Sequence, residues 1–209
     1  MKLYLLYRCP FGHRASMALK EKNLPFESAF FEHGKRPPEL ERAGRYAKSP
    51  TLIDGDTAVW DSQIVLEYIE DRYPEHPLMP SAAPLRAEVR MSAARVAKEL
   101  EPKMGVLAVE TLYRAQKDGA KIAEAAREFL AALEDWDRRL EGRSFLVGNV
   151  LTIADITLFT AFPSVLHLAG IQVPAERRHL RAWLDRMSAR PASRRLEPSS
   201  EPSLEPSRA

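Results

Sequence analysis

The first 75 or so residues alternate between short apolar runs and helical patterns. Leu3 to Tyr7 reads as a strand, and a helix follows from about Phe11 to Lys22 with Ala15, Ala18 and Leu19 on its apolar side. Asn23-Leu24-Pro25 ends that helix, because a proline pushes the residue before it out of the helical region. Phe26 to Phe31 is a second strand, with Phe26, Ala29 and Phe31 alternating imperfectly. Glu32 to Pro38 is a polar loop in which Pro37-Pro38 holds off regular structure until Glu39, leaving room for a short helix before Tyr46. Ser49 to Trp60 predicts a hairpin turning at Asp54-Gly55-Asp56. Ile64, Val65, Tyr68 and Ile69 then recur at helical spacing between Ser62 and Arg72. The predicted order is β-α-β-α-β-β-α.

From Pro84 onward the pattern is helical only. One long segment runs from Leu85 to about Leu112, with a bend at Pro102 or Gly105. A second spans Ile122 to Leu140, with Ala126, Phe129, Leu130, Leu133, Trp136 and Leu140 in one stripe. A third spans Thr152 to Leu168 with a kink at Pro163, and a fourth spans Leu180 to Ala189. The pattern predicts an α/β domain over 1–75, a proline-rich linker over 76–84 and an all-helical domain over 85–192. Residues 193–209, rich in Glu, Pro and Ser, bury too little apolar surface to offset the entropy of ordering and read as a disordered tail without chemistry of its own.

Composition narrows the function classes. The chain has 209 residues, 45% of them hydrophobic, and a net charge of only +2. Arginines cluster late, at Arg177, Arg178, Arg181, Arg186, Arg190, Arg194 and Arg195, with a spacing that more often marks a solvated helix face than a nucleic-acid surface. No apolar run approaches the roughly 20 residues of a membrane span. Nucleic acid and membrane are therefore not expected as partners. The single cysteine and the short apolar run at the N-terminus, too short for a signal peptide, predict a reducing, cytoplasmic setting.

That cysteine is the main chemical signal. Cys9 stands between a strand and a helix in Tyr7-Arg8-Cys9-Pro10-Phe11-Gly12-His13-Arg14. Proline is favoured at a first helical position, which puts Cys9 at the helix N-terminus, where unpaired N–H groups and the helix dipole favour negative charge. Thiols at such places beside cations ionise more readily than free cysteine. Cys9 is thus a candidate nucleophile, although a lone cysteine is more often a small buried hydrophobe. Gly12 occupies the position where a dithiol motif would carry its second cysteine, so redox chemistry would need a partner thiol.

Ser49-Pro50, at the start of a strand, is a candidate cis peptide that would turn the Ser49 backbone toward an extended peptide; a trans proline at a strand's first residue is the commoner case. Asp61-Ser62 precedes a helix. Capping alone accounts for both residues, with Ser62 as N-cap, but the same helix end offers N–H groups and a hydroxyl to a carboxylate while Asp61 meets an ammonium. Together these parts suit a small peptide: backbone on Ser49, amino-acid end on Asp61 and Ser62, thiol at Cys9.

At this point the chain resembles the glutathione transferase family over about residues 1 to 195. The resemblance is carried by Cys9-Pro10-Phe11, Ser49-Pro50-Thr51-Leu52, Asp61-Ser62-Gln63-Ile64, Glu67-Tyr68-Ile69 with Tyr73-Pro74, and Arg181-Ala182-Trp183-Leu184 with Arg190-Pro191. Gly148-Asn149-Val150-Leu151-Thr152-Ile153-Ala154-Asp155 adds a capping box, Thr152 with Asp155, that serves folding. The resemblance implies a thioredoxin-like first domain, an all-helical second domain, glutathione as co-substrate and a homodimer. It is nearest the cysteine-bearing omega and beta classes, and so implies thiol transfer: Cys9 forms a mixed disulfide with glutathione, which free glutathione resolves. The implied ligand-binding residues are Phe11, Lys48, Ser49, Pro50, Asp61 and Ser62. Lys48, Lys35 and Arg36 are candidates for the glycine carboxylate by position. Ser49 departs from the family, which usually has a branched apolar residue there.

The second substrate, a small electrophile or mixed disulfide, is left open. Tyr113, Trp136 and Phe162 are candidates to line its pocket, though aromatics at helical spacing are more often core. The alternative is a non-enzymatic binding protein on the same fold. Glu67 to Pro80 resembles stringent starvation protein A, which implies binding to RNA polymerase through that turn. The five histidines show no metal-ligand spacing with each other or with Cys9.

Overall fold

The computed structural model describes residues 1–198, the side chains of 112, 113 and 163–169 excepted. Four strands form one mixed sheet in the order β2-β1-β3-β4, from β1 (Lys2–Leu6), β2 (Glu27–Phe31), β3 (Thr51–Asp54) and β4 (Thr57–Trp60). β1 and β2 run parallel in the register Leu3 with Ser28, joined by the crossover helix α1 (Pro10–Glu21). β1 and β3 are antiparallel, Leu3 facing Leu52, and β3 turns into β4 through Gly55, whose φ of +57 suits glycine. Leu3, Leu5 and Leu52 point into the core, where Ala15, Met17, Ala18 and Leu19 of α1 meet them. The fit is tight at Gly12. A Cβ there would lie 3.0 Å from the Leu5 Cβ and 3.4 Å from the Ser49 hydroxyl.

The short helix α2 (Pro38–Arg42) starts one residue earlier than the sequence suggests, because Pro38 takes the first helical turn, where its missing N–H costs nothing. Arg36 donates to the carbonyls of Leu40 and Gly44, both at 2.8 Å, and so closes the end of α2. α3 (Ser62–Arg72) returns across the sheet. Its Tyr68 and the following Tyr73 both donate to Asp54, tying the hairpin to the helix.

The linker is fastened by a buried ion pair. The Lys22 ammonium at the end of α1 lies 2.7 Å from Glu70 of α3, with both side chains almost fully enclosed. Lys22 also donates to the carbonyls of Glu75 and His76, and Glu70 accepts the Leu78 N–H at 3.0 Å. Two helices and the turn that follows them are thereby held at one point.

The second domain is helical. α4 (Ala83–Glu99) and α5 (Glu101–Ala108) come from the single long segment predicted by pattern, and the break falls at Leu100, just before Pro102. A π-helical turn at Val109–Tyr113 leads to α6 (Gly119–Arg139), which Asp118 caps by accepting from the N–H groups of Ala120 and Lys121. α7 (Ile153–Ala169) continues through Pro163 as one helix. Its capping box is present: Thr152 and Asp155 bond reciprocally, and Asp155 also accepts from Leu146 N and from Trp183 Nε1. α8 (Arg178–Ser188) packs Leu180, Trp183 and Met187 inward. The α/β and all-helical halves expected from sequence are those found.

Trp136 and Phe162 belong to this core. Both are at most 1% exposed, and Phe162 meets Phe129 edge-on at 5.7 Å. Of the two uses their helical spacing left open, pocket lining and core packing, Trp136 and Phe162 take the second. The Tyr113 side chain lies outside the described residues.

Candidate functional site

Cys9 is the N-cap of α1, with extended backbone (φ −67, ψ 122), and Pro10 takes the first helical position. No side chain caps this helix, so its N-terminal amides face the space beside Cys9. The approach to Cys9 is shaped by Arg8, whose φ of +60 turns the chain sharply out of β1. Cys9 N donates to the Leu6 carbonyl at 3.2 Å, closing the turn. Cys9 is a free thiol, half-buried.

The Ser49-Pro50 peptide is cis. The Ser49 hydroxyl accepts the Leu6 N–H at 2.9 Å, stitching the loop before β3 to the end of β1. This accounts for serine where an apolar residue was expected: its side chain serves as an acceptor, and it lies against Gly12 at the start of α1. The proline loop and the cysteine turn are thus held to one another. Lys48, next in line, is exposed, and its carbonyl accepts from the Thr51 hydroxyl. Of the other cations considered for a carboxylate, Lys35 is paired with Glu32 at 2.7 Å and Arg36 is taken up by α2. Lys48 remains.

At α3 the capping differs from expectation. Asp61 is the N-cap, accepting from Gln63 N at 2.9 Å, and Ser62 is the first helical residue. Asp61 adopts φ 74 and ψ 129, a conformation L-residues rarely take and one that costs on the order of 1–3 kcal/mol. Taking the cap itself, Asp61 leaves the Ser62 hydroxyl available to another partner.

That partner is Arg14, which sequence reasoning noted only as a charge near Cys9. It is 1% exposed. Its guanidinium donates to Ser62 Oγ at 3.0 Å, to Glu101 of α5 at 2.8 Å and to the Thr157 carbonyl of α7 at 3.4 Å, and lies 5.3 Å from the Phe11 ring centroid. Burial lowers its pKa, while the neighbouring Glu101 acts in the opposite sense and Asp61 and Cys9 add weaker attraction. Gln63 donates to the Thr157 hydroxyl at 3.0 Å beside it. One buried cation therefore links the Cys9 turn, the α3 N-terminus and the helical domain. The helix predicted over Phe11 to Lys22 includes Arg14, but nothing in the sequence pointed to Glu101.

His13 also faces inward, at 4% exposure. Its Nε2–H donates to the Ser193 carbonyl at 2.8 Å, while its buried Nδ1 has no hydrogen-bond partner. Burial first, then the positive charge of Arg195, lowers its pKa to about 4, so the ring is neutral near pH 7. Residues 13 and 193, far apart in the chain, meet here. Among the described residues no group of three or more His, Cys, Asp or Glu side chains is arranged to hold a metal ion, and no helix is long and apolar enough to cross a membrane.

Comparison with known proteins agrees with this architecture. Residues 3–77 match the glutathione S-transferase N-terminal domain, and residues 85–191 match the C-terminal domain of the same family. The chain is 27% identical to glutathione S-transferase U1 of Arabidopsis thaliana, over 98% of this chain and 92% of that one. It is 25% identical to a stringent starvation protein A homolog of Coxiella burnetii, over 78% of this chain and 75% of that one. The theta class glutathione S-transferase of Xanthomonas axonopodis pv. citri, solved with glutathione bound, shares the fold at a TM-score of 0.82 and 23% identity, over 92% of this chain and 94% of that one. With both family domains matched in order along a fold of the same shape, the chain belongs to the glutathione S-transferase family.

Proposed function

We propose that the protein is a glutathione-dependent transferase that works through Cys9, with thiol transfer as its chemistry. The observation that carries this reading is the half-buried thiol at the uncapped N-terminus of α1, beside the cis Ser49-Pro50 loop and the Asp61-Ser62 helix start. The family supplies glutathione as the co-substrate. Its cysteinyl backbone pairs with Ser49 next to Pro50, its amino-acid end meets Asp61 and Ser62, Phe11 packs alongside, and Lys48 serves the glycine carboxylate.

The Cys9 thiolate attacks the glutathionyl sulfur of a mixed disulfide, forming the Cys9–glutathione disulfide and releasing the substrate as a thiolate. A glutathione thiolate then attacks the bound glutathionyl sulfur, forming glutathione disulfide and regenerating the Cys9 thiolate. The first-turn amides of α1 and the cations around the turn stabilise the negative sulfur at both steps. A reducing cytoplasm suits such a cycle, because it keeps glutathione in its thiol form.

A homodimer is part of this reading. Tyr46 and Trp60, stacked at 5.6 Å between centroids, and Ile64 on α3 are exposed on the first domain, and Met91 is 61% exposed on α4. A second copy is the occupant that the family implies for these side chains.

The decisive comparison is wild type against Cys9→Ser, for retention on immobilised glutathione and for turnover of a glutathione mixed disulfide. Retention of both proteins with turnover by wild type alone is the expected result. Equal turnover by both would refute the Cys9 role. A second reading, docking on RNA polymerase through residues 67–80, draws support from the Coxiella burnetii relative and from the Lys22–Glu70 pair that holds this turn rigid. It takes precedence if neither protein is retained on glutathione.

A further inference from the structure

Gly12 is the one glycine of α1, and nothing in its backbone calls for glycine. It sits in the first turn of the helix, without the positive φ found at Gly34, Gly55 or Gly142. Inside a helix glycine is less favourable than alanine, because it loses more backbone freedom on folding. Gly105, within α5, has nothing within 4 Å of the place a Cβ would take. Gly12 is different. Its Cβ would meet Leu5 Cβ at 3.0 Å, Leu5 Cδ1 at 3.4 Å and Ser49 Oγ at 3.4 Å. Neither neighbour is free to give way. Leu5 is buried in β1, a strand held between β2 and β3, and its Cβ is fixed to that backbone. Ser49 Oγ is held by the Leu6 N–H at 2.9 Å.

We infer that Gly12 is a positioning residue of the reaction proposed above, and the inference rests on that reading. Its missing side chain sets the spacing between the Cys9 turn and the Ser49-Pro50 loop. Cys9 caps the helix three residues earlier, and Ser49 precedes the cis Pro50 beside which the peptide backbone would lie. The start of α1, the end of β1 and the proline loop thus converge on one gap that has no room for a methyl group. A Cβ placed there pushes the first turn of α1 off the sheet by a few tenths of an ångström or more, and Cys9 moves with it. The peptide, seated on Ser49, Asp61 and Ser62, stays with the sheet and α3. The distance between the two sulfurs then changes while each half of the site remains intact. Thiol transfer needs the attacking sulfur close to the disulfide and in line with it. Misplacement by about 1 Å costs on the order of a hundredfold in rate.

The test compares Gly12→Ala with wild type in three measurements. The kcat for a glutathione mixed disulfide is expected to fall by about ten- to a hundredfold. Retention on immobilised glutathione, and alkylation of Cys9 by iodoacetamide, demand no alignment of two sulfurs and should stay within about twofold. Gly105→Ala should raise Tm and leave turnover unchanged. On a Ser49→Ala background, which removes the hydroxyl at 3.4 Å, the Gly12→Ala change should cost less, and the difference measures the coupling of the two residues. Circular dichroism checks folding. Full turnover by folded Gly12→Ala overturns the inference. So does a loss that retention and alkylation share, or an equal loss on both backgrounds. A Gly12→Ala chain that folds only together with Ser49→Ala supports the inference; one that folds on neither background makes Gly12 structural and overturns it. If wild type itself turns over no mixed disulfide, the thioltransferase reading fails. Hydrogen exchange at the Leu6 amide then decides: faster in Gly12→Ala if Gly12 sets the spacing, unchanged if it does not.

Discussion

Glu70→Ala probes the point where α1, α3 and the linker are held together. In the native protein Glu70 accepts from Lys22 at 2.7 Å and from Leu78 N at 3.0 Å through the same oxygen. Removing it leaves the Lys22 ammonium, fully enclosed, with only the carbonyls of Glu75 and His76. Breaking one side of a buried ion pair costs about 3–5 kcal/mol. The orphaned Leu78 amide alone would cost roughly 1–3 kcal/mol, but the two losses share one atom and do not add. The expected total is about 3–5 kcal/mol, which for a chain of this size lowers Tm by roughly 6–20 °C. Urea unfolding followed by far-UV circular dichroism measures it. Adding Lys22→Met to Glu70→Ala should recover about 2 kcal/mol, since no unpaired charge then remains inside. A loss below about 1 kcal/mol in the single variant, or a double variant no more stable than it, would refute the argument that the enclosed charge dominates.

Acid should weaken the fold through His13. Its native pKa of about 4 lies below the ordinary value of 6.5, so the unfolded chain binds the proton first and stability falls as pH drops from 6.5 toward 4. The contribution is full above that window, and the loss is complete below it. It amounts to about 3 kcal/mol. His13→Gln should remove most of this pH dependence in urea titrations at pH 7 and pH 4; an unchanged slope would mean that other groups govern it. For the proposed homodimer, wild type is expected to sediment as a dimer, and a paired Tyr46→Glu and Met91→Glu variant as a monomer at the same concentration. A variant that remains dimeric would place the interface elsewhere.

What could be read from the chain was local in origin. The strand-proline-helix junction at Cys9, the Asp-Gly turn of the hairpin and the Thr152/Asp155 capping box are specified by residues within a few positions of one another, and all three were legible. Helix ends were less so. Asp61 took the cap assigned to Ser62, and the long segment after the linker broke at Leu100, because one-residue choices at a helix end depend on what the freed side chain meets.

Residues whose meaning lies in a distant partner were not legible. Arg14, Lys22, His13 and Arg195 look like ordinary charged or polar positions on a solvated chain. Arg14 meets Glu101 across 87 residues, Lys22 meets Glu70 across 48, His13 meets Ser193 across 180 and Arg195 reaches Arg8 across 187. Burial makes a charge require a partner, yet no periodicity records which partner the fold will bring. Trp136 and Phe162 show the same limit from the apolar side, since helical spacing marks an inward face without saying whether core or cavity lies there. The sequence alone determined the elements, the family resemblance and the nucleophile candidate. Tertiary structure alone decided how the cations are shared around that thiol, because electrostatic pairing inside a protein is a property of space and not of chain order.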